Sequence, residues 1–128
     1  MRLALDTSGY AEMCRGEPRV VGAVEEATEV FLPFVALGEL RAGFGVGSRT
    51  VENERVLSRF LALPDVKVLH ADDGTTHHYA ALFLQLRRQG TPIPTNDLWI
   101  AALALQHDLL LCARDRHFDH VPQLKRLE

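Results

Sequence analysis

Cysteine is scarce in this chain, and no long hydrophobic run interrupts its 128 residues. Cys14 and Cys112 lie far apart, so they cannot form the dense disulfide framework of a small secreted domain. The apolar run at residues 3–5 is far too short for a secretory signal. No apolar stretch approaches the length of a membrane span. We therefore expect a reduced, cytoplasmic protein that does not enter a membrane.

A large excess of one charge is also missing. Lysine and arginine number 14 against 17 aspartates and glutamates, for a net charge of -3. This balance excludes a bulk polycation, so a nucleic-acid partner would need a local basic patch. With 47% apolar and 24% charged residues, the composition is that of an ordinary globular protein. The length suits one domain with a proper core, and we expect a single domain over residues 1–128.

Short, continuous apolar runs alternate along the chain with amphipathic segments. The runs predict four buried strands, at residues 3–5, 30–32, 66–69 and 109–112. Between them, apolar spacing predicts helices, including one over 50–63 and one that Asp72 or Asp73 caps and that ends near Gln89. This alternation is typical of a parallel sheet covered on both faces. We expect an α/β/α sandwich with three layers and a mainly parallel sheet, to which residues 124–127 could add an edge strand.

The most apolar helical segment, residues 95–105, has a carboxylate near its start. A proline-rich approach holds the preceding chain extended, and we expect Thr95 or Asn96 to cap the helix. Asp97 then lies in the first turn, where the helix dipole favours an anion. Taken alone, Asp97 is either a helix-start acid or a metal ligand at the mouth of a site.

Three more acids fall at the ends of predicted elements. Asp6 ends the first strand, Asp115 follows the fourth, and Glu39 comes early in a helix after the second. Each has an ordinary alternative, as a turn or cap residue or as a helix boundary residue. Ligands of open parallel sheets bind beyond the carboxyl ends of the strands. These acids and Asp97 are therefore expected to meet at one edge of the sheet.

Carboxylates at short range repel one another and need a compensating cation to stay ionised together. All the expected donors are oxygens, with no clustered cysteines or paired histidines among them, which favours Mg²⁺ or Mn²⁺ over zinc. Such an ion polarises a phosphate and lowers the pKa of a bound water. The layout therefore predicts a metal site suited to phosphodiester hydrolysis.

Four motifs, in this order, resemble those of PIN-domain ribonucleases. They are residues 3–8 (LALDTS), Glu39-Leu40 with Gly43, residues 90–102 (GTPIPTNDLWIAA) and residues 114–118 (RDRHF). The length and the third motif are similar to those of the VapC toxins of bacterial toxin–antitoxin pairs in particular. Each motif is weak alone, whereas the ordered set spans nearly the whole chain and is fairly specific.

The resemblance implies an endoribonuclease that depends on magnesium or manganese. Its catalytic residues and metal ligands would be Asp6, Glu39, Asp97 and Asp115. Thr7 or Ser8 would donate a hydrogen bond near the metal or a substrate phosphate, and Asn96 would support Asp97. Arg114 and Arg116, beside the cleft, could contact RNA phosphates, an antitoxin carboxylate or solvent. Proteins of this kind usually form homodimers and are inhibited by a cognate antitoxin whose C-terminal segment occupies the cleft.

The fourth motif departs from the family pattern. The threonine that often begins it is Ala113 here, so a hydroxyl hydrogen bond is missing. Asp119 is an alternative to Asp115, although Asp115 directly follows the strand. His117 could shuttle a proton, but a metal-activated water needs no such base. The missing threonine leaves open a catalytically silent PIN-like module that binds RNA or a protein. A phosphohydrolase with an aspartyl-phosphate intermediate would use Asp6 as its nucleophile and would need a second acid two positions later, where this chain has Ser8.

Overall fold

A sheet of four short strands forms the centre of this computed structural model, which describes residues 1–127. The strands are β1 (Arg2–Leu5), β2 (Glu29–Pro33), β3 (Val66–Leu69) and β4 (Leu110–Cys112). Their order is β3-β2-β1-β4, and every neighbouring pair is parallel. The expected α/β fold with a parallel sheet is confirmed, and β1 lies in the interior of that sheet.

Helices follow the strands and cover the sheet. They are α1 (Thr7–Cys14), α2 (Pro18–Glu26), α3 (Phe34–Val46), α4 (Thr50–Leu61), α5 (Asp73–Gln89), α6 (Thr95–Gln106) and the short 3-10 helix η1 (Arg116–His120). The successive residues Leu3, Ala4 and Leu5 are all buried. Since neighbouring side chains of a strand point to opposite faces, this burial means that both faces of the sheet are covered. Among the described residues, none of the helices is both long and apolar enough to cross a membrane.

The start of α5 follows the prediction closely. Asp72 is its cap, and the Asp72 Oδ1 accepts a hydrogen bond from the Thr75 backbone N–H at 3.1 Å. The Thr75 hydroxyl accepts one in return from the Asp72 N–H at 3.0 Å, which completes a reciprocal capping box. At the other end, Gly90 adopts the left-handed conformation that closes helices.

The start of α6 differs from the prediction. The helix begins at Thr95 with Pro94 as its cap, and no side chain makes a capping bond. The expectation that Thr95 or Asn96 caps this helix is therefore wrong. The Pro94 carbonyl accepts the N–H of Leu98 at 3.0 Å, so the first turn forms one residue earlier than expected. This leaves the Asn96 side chain able to contact another element.

The C-terminal segment does not form the expected edge strand. Arg126 makes an isolated parallel bridge with Leu111 of β4, where the Leu111 N–H donates to Lys125 and the Leu111 carbonyl accepts from Leu127. Because β4 itself is only three residues long, it offers room for little more than this bridge. The segment is tied to the sheet without extending it.

Candidate metal centre

Asp6 lies at the point where β1 becomes α1. Its Oδ1 accepts hydrogen bonds from the Gly9 N–H at 2.8 Å and from the Ser8 hydroxyl at 2.7 Å. Only 5% of the residue is exposed, and this burial raises the pKa of Asp6 to about 6 although both hydrogen bonds lower it. The negative charges of Asp97 and Asp115 raise that pKa further. Asp6 is thus a capping residue as well as a member of a crowded group of acids.

A glycine allows α1 to start directly against the end of β4. A Cβ at Gly9 would lie 2.3 Å from the carbonyl oxygen of Cys112, closer than any real side chain can approach. The same carbonyl accepts the Asp6 N–H at 3.2 Å. The close approach holds Asp6 beside the chain that continues from β4 to Asp115.

Asp97, Asp115 and His117 form the tightest part of the site. The His117 Nδ1 lies 2.8 Å from Asp97 Oδ2 and 2.9 Å from Asp115 Oδ1. One donor atom from each residue falls within 4.8 Å of the other two. Asp115 also caps η1 by accepting the His117 N–H at 3.0 Å. An imidazole nitrogen thus lies beside the carboxylate oxygens that were expected to bind the metal.

The pKa values of Asp97 and His117 are both raised in this crowded group. Burial raises the pKa of Asp97, and the hydrogen bond to His117 opposes that rise, while the charges of Asp115 and Glu39 add to it. The pKa of His117 is raised, chiefly by its hydrogen bond to Asp97 and further by Asp115. A proton on His117 thus offsets part of the repulsion between the carboxylates.

Glu39 reaches the site from α3 and is held by two neighbours. The Thr7 hydroxyl donates to its Oε1 at 3.1 Å, and the Asn96 amide donates to its Oε2 at 3.4 Å. Asn96 was expected to support Asp97, and that expectation is wrong because its amide points across to α3. An open groove lies next to Glu39 and Asn96. Its other lining residues are Phe34, Val35, Gly38 and Ala42.

Asp115 and Asp119, the two candidates for the fourth acid, lie in different surroundings. Asp119 turns away from the other acids and forms an ion pair with Arg126 at 2.6 Å. The guanidinium of Arg126 also donates to the Ala113 carbonyl at 2.8 Å and lies over the ring of Phe118. Asp115 is therefore the acid that this segment contributes to the cluster.

Arg114 contacts a residue that the sequence did not single out. Its Nε lies 3.6 Å from Oε1 of Glu12, whose side chain is only 7% exposed. Within residues 1–127, that Glu12 oxygen accepts no hydrogen bond. The Arg114 backbone N–H donates to the Ser8 hydroxyl at 2.9 Å, which links this segment to the Asp6 side of the site. Arg116 is exposed at the start of η1.

The donor set fits a hard divalent cation. Carboxylates from β1, α3, α6 and the segment after β4 supply oxygens, which Mg²⁺ and Mn²⁺ prefer. Burial and the charges of Asp97 and Asp115 both raise the pKa of Asp6, so its negative charge is disfavoured where it lies. A cation between these side chains would stabilise that charge.

The sequence matches the PIN domain family over residues 3–124. The chain belongs to the PIN domain family. Among curated relatives, ribonuclease VapC4 of Mycobacterium tuberculosis is 29% identical over 126 residues, which cover 97% of this chain and 94% of the relative. Toxin FitB of Neisseria gonorrhoeae is 30% identical over 121 residues, covering 88% and 87%. The resemblance drawn from the four motifs is confirmed.

Solved structures have the same fold. VapBC-1 from nontypeable Haemophilus influenzae superposes with a TM-score of 0.85 at 24% identity, covering 98% of this chain and 96% of that one. FitAcB from Neisseria gonorrhoeae superposes with a TM-score of 0.77 at 27% identity, covering 98% and 96%. The likeness extends over almost all of both chains, so the PIN fold accounts for the whole described structure.

Proposed function

We propose that this protein is an endoribonuclease that depends on Mg²⁺ or Mn²⁺ and acts as the toxin of a VapC-type toxin–antitoxin pair. The observation that carries the proposal is the convergence of Asp6, Glu39, Asp97 and Asp115 at one edge of a PIN fold. Curated relatives over nearly the full length are named as ribonucleases, which supports RNA as the substrate. Residues 1–128 would act together as one domain.

The four acids would hold the cation. When bound, it would polarise a phosphodiester and lower the pKa of a water molecule. Thr7 and Asn96 orient Glu39, while Ser8 and the Gly9 N–H orient Asp6. The carboxylates are thus held in place before any substrate arrives.

The packing of α6 in the core likewise holds a carboxylate, that of Asp97, in place. Ile100, Ala101 and Leu103 are at most 1% exposed, so the helix that carries Asp97 is fixed by the core. A side chain on a packed helix keeps its position better than one on a loop. Asp97 is therefore supported along the length of its own helix.

Similar structures and the exposed surface indicate which partners this protein would bind. Several similar structures are VapBC complexes, including VapBC-1 of Haemophilus influenzae and a DNA-bound VapBC of Salmonella typhimurium. By analogy, a cognate antitoxin would inhibit this protein in the cytoplasm. Exposed apolar side chains on α5, Phe83 and Leu84, are suited to a homodimer contact.

An RNA cleavage assay tests the proposal. The purified protein should cleave RNA with Mg²⁺ or Mn²⁺ and stop when a chelator is added. Asp97→Asn should reduce cleavage by about 100-fold or more, because one charged ligand is lost. Asp119→Asn is the matched control, since Asp119 pairs with Arg126 away from the cluster. Undiminished cleavage by Asp97→Asn would show that the assignment is wrong.

A second candidate is a catalytically silent module that binds RNA or a protein. Ala113 favours it, because the position offers no hydroxyl beside the cluster. Calorimetric titration with Mn²⁺ separates the two functions. Binding that Asp97→Asn abolishes supports the nuclease, and a lack of binding to the unaltered protein supports the silent module.

A further inference from the structure

We propose that the Nδ1 of His117 is a direct ligand of the divalent cation and that it makes the site prefer Mn²⁺ to Mg²⁺. The inference rests on the proposed function, because it requires an ion between the acids. It adds a nitrogen to a site that the sequence indicates to be built from carboxylates alone.

The geometry around Nδ1 carries this inference. Its distances to Asp97 Oδ2 and Asp115 Oδ1 are 2.8 and 2.9 Å. Ligands about 2.1 Å from an octahedral ion are about 3 Å from their nearest neighbours around it. Nδ1 therefore lies as far from each carboxylate oxygen as neighbouring ligands of one ion lie from each other, and one donor atom of each residue falls within 4.8 Å of the other two.

Local structure holds His117 in this position. The Asp115 carboxylate caps η1 through the His117 N–H, so both residues belong to one tight turn. Phe118, the next residue, is 1% exposed and anchors the turn in the core. The guanidinium of Arg126 packs over the Phe118 ring. The backbone that carries the imidazole is thus fixed, although the side chain itself is 46% exposed.

The metal preference follows from ligand chemistry. Mg²⁺ is a hard ion that binds through oxygen and keeps several of its waters. Mn²⁺ shares the preference of Mg²⁺ for oxygen, but as a softer transition-series ion it accepts an imidazole nitrogen more readily than Mg²⁺ does. If His117 only oriented Asp97 and Asp115 by hydrogen bonding, it would not favour one ion over the other in this way.

Pulsed electron paramagnetic resonance of the Mn²⁺-loaded protein tests the proposal directly. Nitrogen bound to Mn²⁺ gives a ¹⁴N modulation that a carboxylate or water ligand does not give. We expect this modulation in the unaltered protein and its loss in His117→Gln, which should still bind Mn²⁺ through the acids. His120→Gln is the matched control, because His120 lies at the opposite, exposed end of the same short helix. It should keep the modulation.

Calorimetry on the same proteins provides the second measurement. His117→Gln should lower the Mn²⁺ affinity by about tenfold or more, with a smaller effect on Mg²⁺. Circular dichroism would confirm that each variant is folded. Mn²⁺ binding without ¹⁴N modulation, or modulation that survives in His117→Gln, would overturn this inference and leave the metal site intact. If the unaltered protein binds no Mn²⁺, the metal dependence fails as well, so the two failures are distinguishable.

Discussion

Asp6 and Asp72 stand at the starts of two helices and make the same local contact. Each carboxylate accepts the N–H of the third helical residue, from Gly9 at 2.8 Å and from Thr75 at 3.1 Å. Asp72 is exposed, and hydrogen bonds, first from Gln106 at 2.8 Å and then from Thr75, lower its pKa. Asp6 is buried near other acids, and its pKa is raised to about 6.

The difference separates a structural acid from a candidate functional one. The helix cap and the hydrogen bond from Gln106 account for what is observed at Asp72, since both stabilise its charge. At Asp6 the same cap is present, but the surroundings disfavour the charge that the carboxylate carries at neutral pH. A group that is held in an unfavourable state by its neighbours is a candidate for ligand binding or catalysis. Matched substitutions at the two helix starts test whether Asp6 and Asp72 differ in this way.

The largest expected difference lies in RNA cleavage. Asp6→Asn should lower the rate by about 100-fold or more, because it removes a charged metal ligand. Asp72→Asn should leave the rate nearly unchanged, because the Asp72 carboxylate contacts Thr75 and Gln106, outside the acidic cluster. Asparagine is as good a cap as aspartate, so both variants should fold. The cleavage rates of both variants should be measured with saturating Mn²⁺. Equal rates would refute the distinction between a functional Asp6 and a structural Asp72.

A smaller difference is expected in the stability of the metal-free protein. Because folding raises the pKa of Asp6 from 3.8 to about 6, its favourable contribution is present below pH 3.8 and is lost as the pH rises to about 6. At pH 7.5, Asp6→Asn should therefore be more stable than the unaltered protein by about 2–3 kcal/mol. The gain should shrink as the pH approaches 4.

Asp72→Asn should behave in the opposite way. The pKa of Asp72 is lowered by folding, so its contribution is present at neutral pH and is lost as the pH falls through that lowered value. The variant should be less stable than the unaltered protein at pH 7.5. Urea unfolding with a chelator at several pH values measures both curves. A loss of stability in Asp6→Asn at pH 7.5 would contradict the unfavourable charge at that position.

The smallest expected difference is between the stability changes caused by alanine at Gly9 and at Gly74, the glycines near the two capping aspartates. Gly9→Ala should destabilise the protein by about 1–3 kcal/mol, because the new Cβ meets the Cys112 carbonyl and the backbone must shift. A Cβ at Gly74 would lie 2.9 Å from the Gln106 Nε2, the far end of a flexible side chain, and 3.2 Å from the Asp72 Oδ1 that this amide contacts. Gly74→Ala should change stability by less than about 1 kcal/mol, since a better helix former offsets the contact. Thermal unfolding of both variants measures the contrast, and equal shifts would refute it.

Much of the fold could be predicted because its signals are local. Apolar runs predict the strands, and the cap and the closing glycine of α5 lie at the predicted positions. Asp6, Asp97 and Asp115 could be placed at one edge because the ends of parallel strands and the starts of the next helices share that edge. The start of α6 was missed because Pro94 begins the first turn without any capping side chain.

The finer contacts of the site depend on packing between distant segments. Asn96 reaches Glu39 across 57 positions of the chain, and no local pattern indicates that partner. The contact between Glu12 and Arg114 likewise joins α1 to the segment after β4. His117 was considered from the sequence only as a proton shuttle, and not as a neighbour of Asp97 and Asp115. His117 stands two residues after Asp115, so a single tight turn can bring both side chains to one ion.

The pairing of β1 with β4 also governs when the site can exist. The acids range from position 6 to position 115, and the last strand must dock beside the first before they meet. During synthesis, a ribosome-bound chain that lacks β4 has β1 exposed along one edge and only part of its carboxylate cluster. For a protein that is translated from RNA and is proposed to cut RNA, activity would therefore begin only after β4 and Asp115 have been synthesised and β4 has docked beside β1.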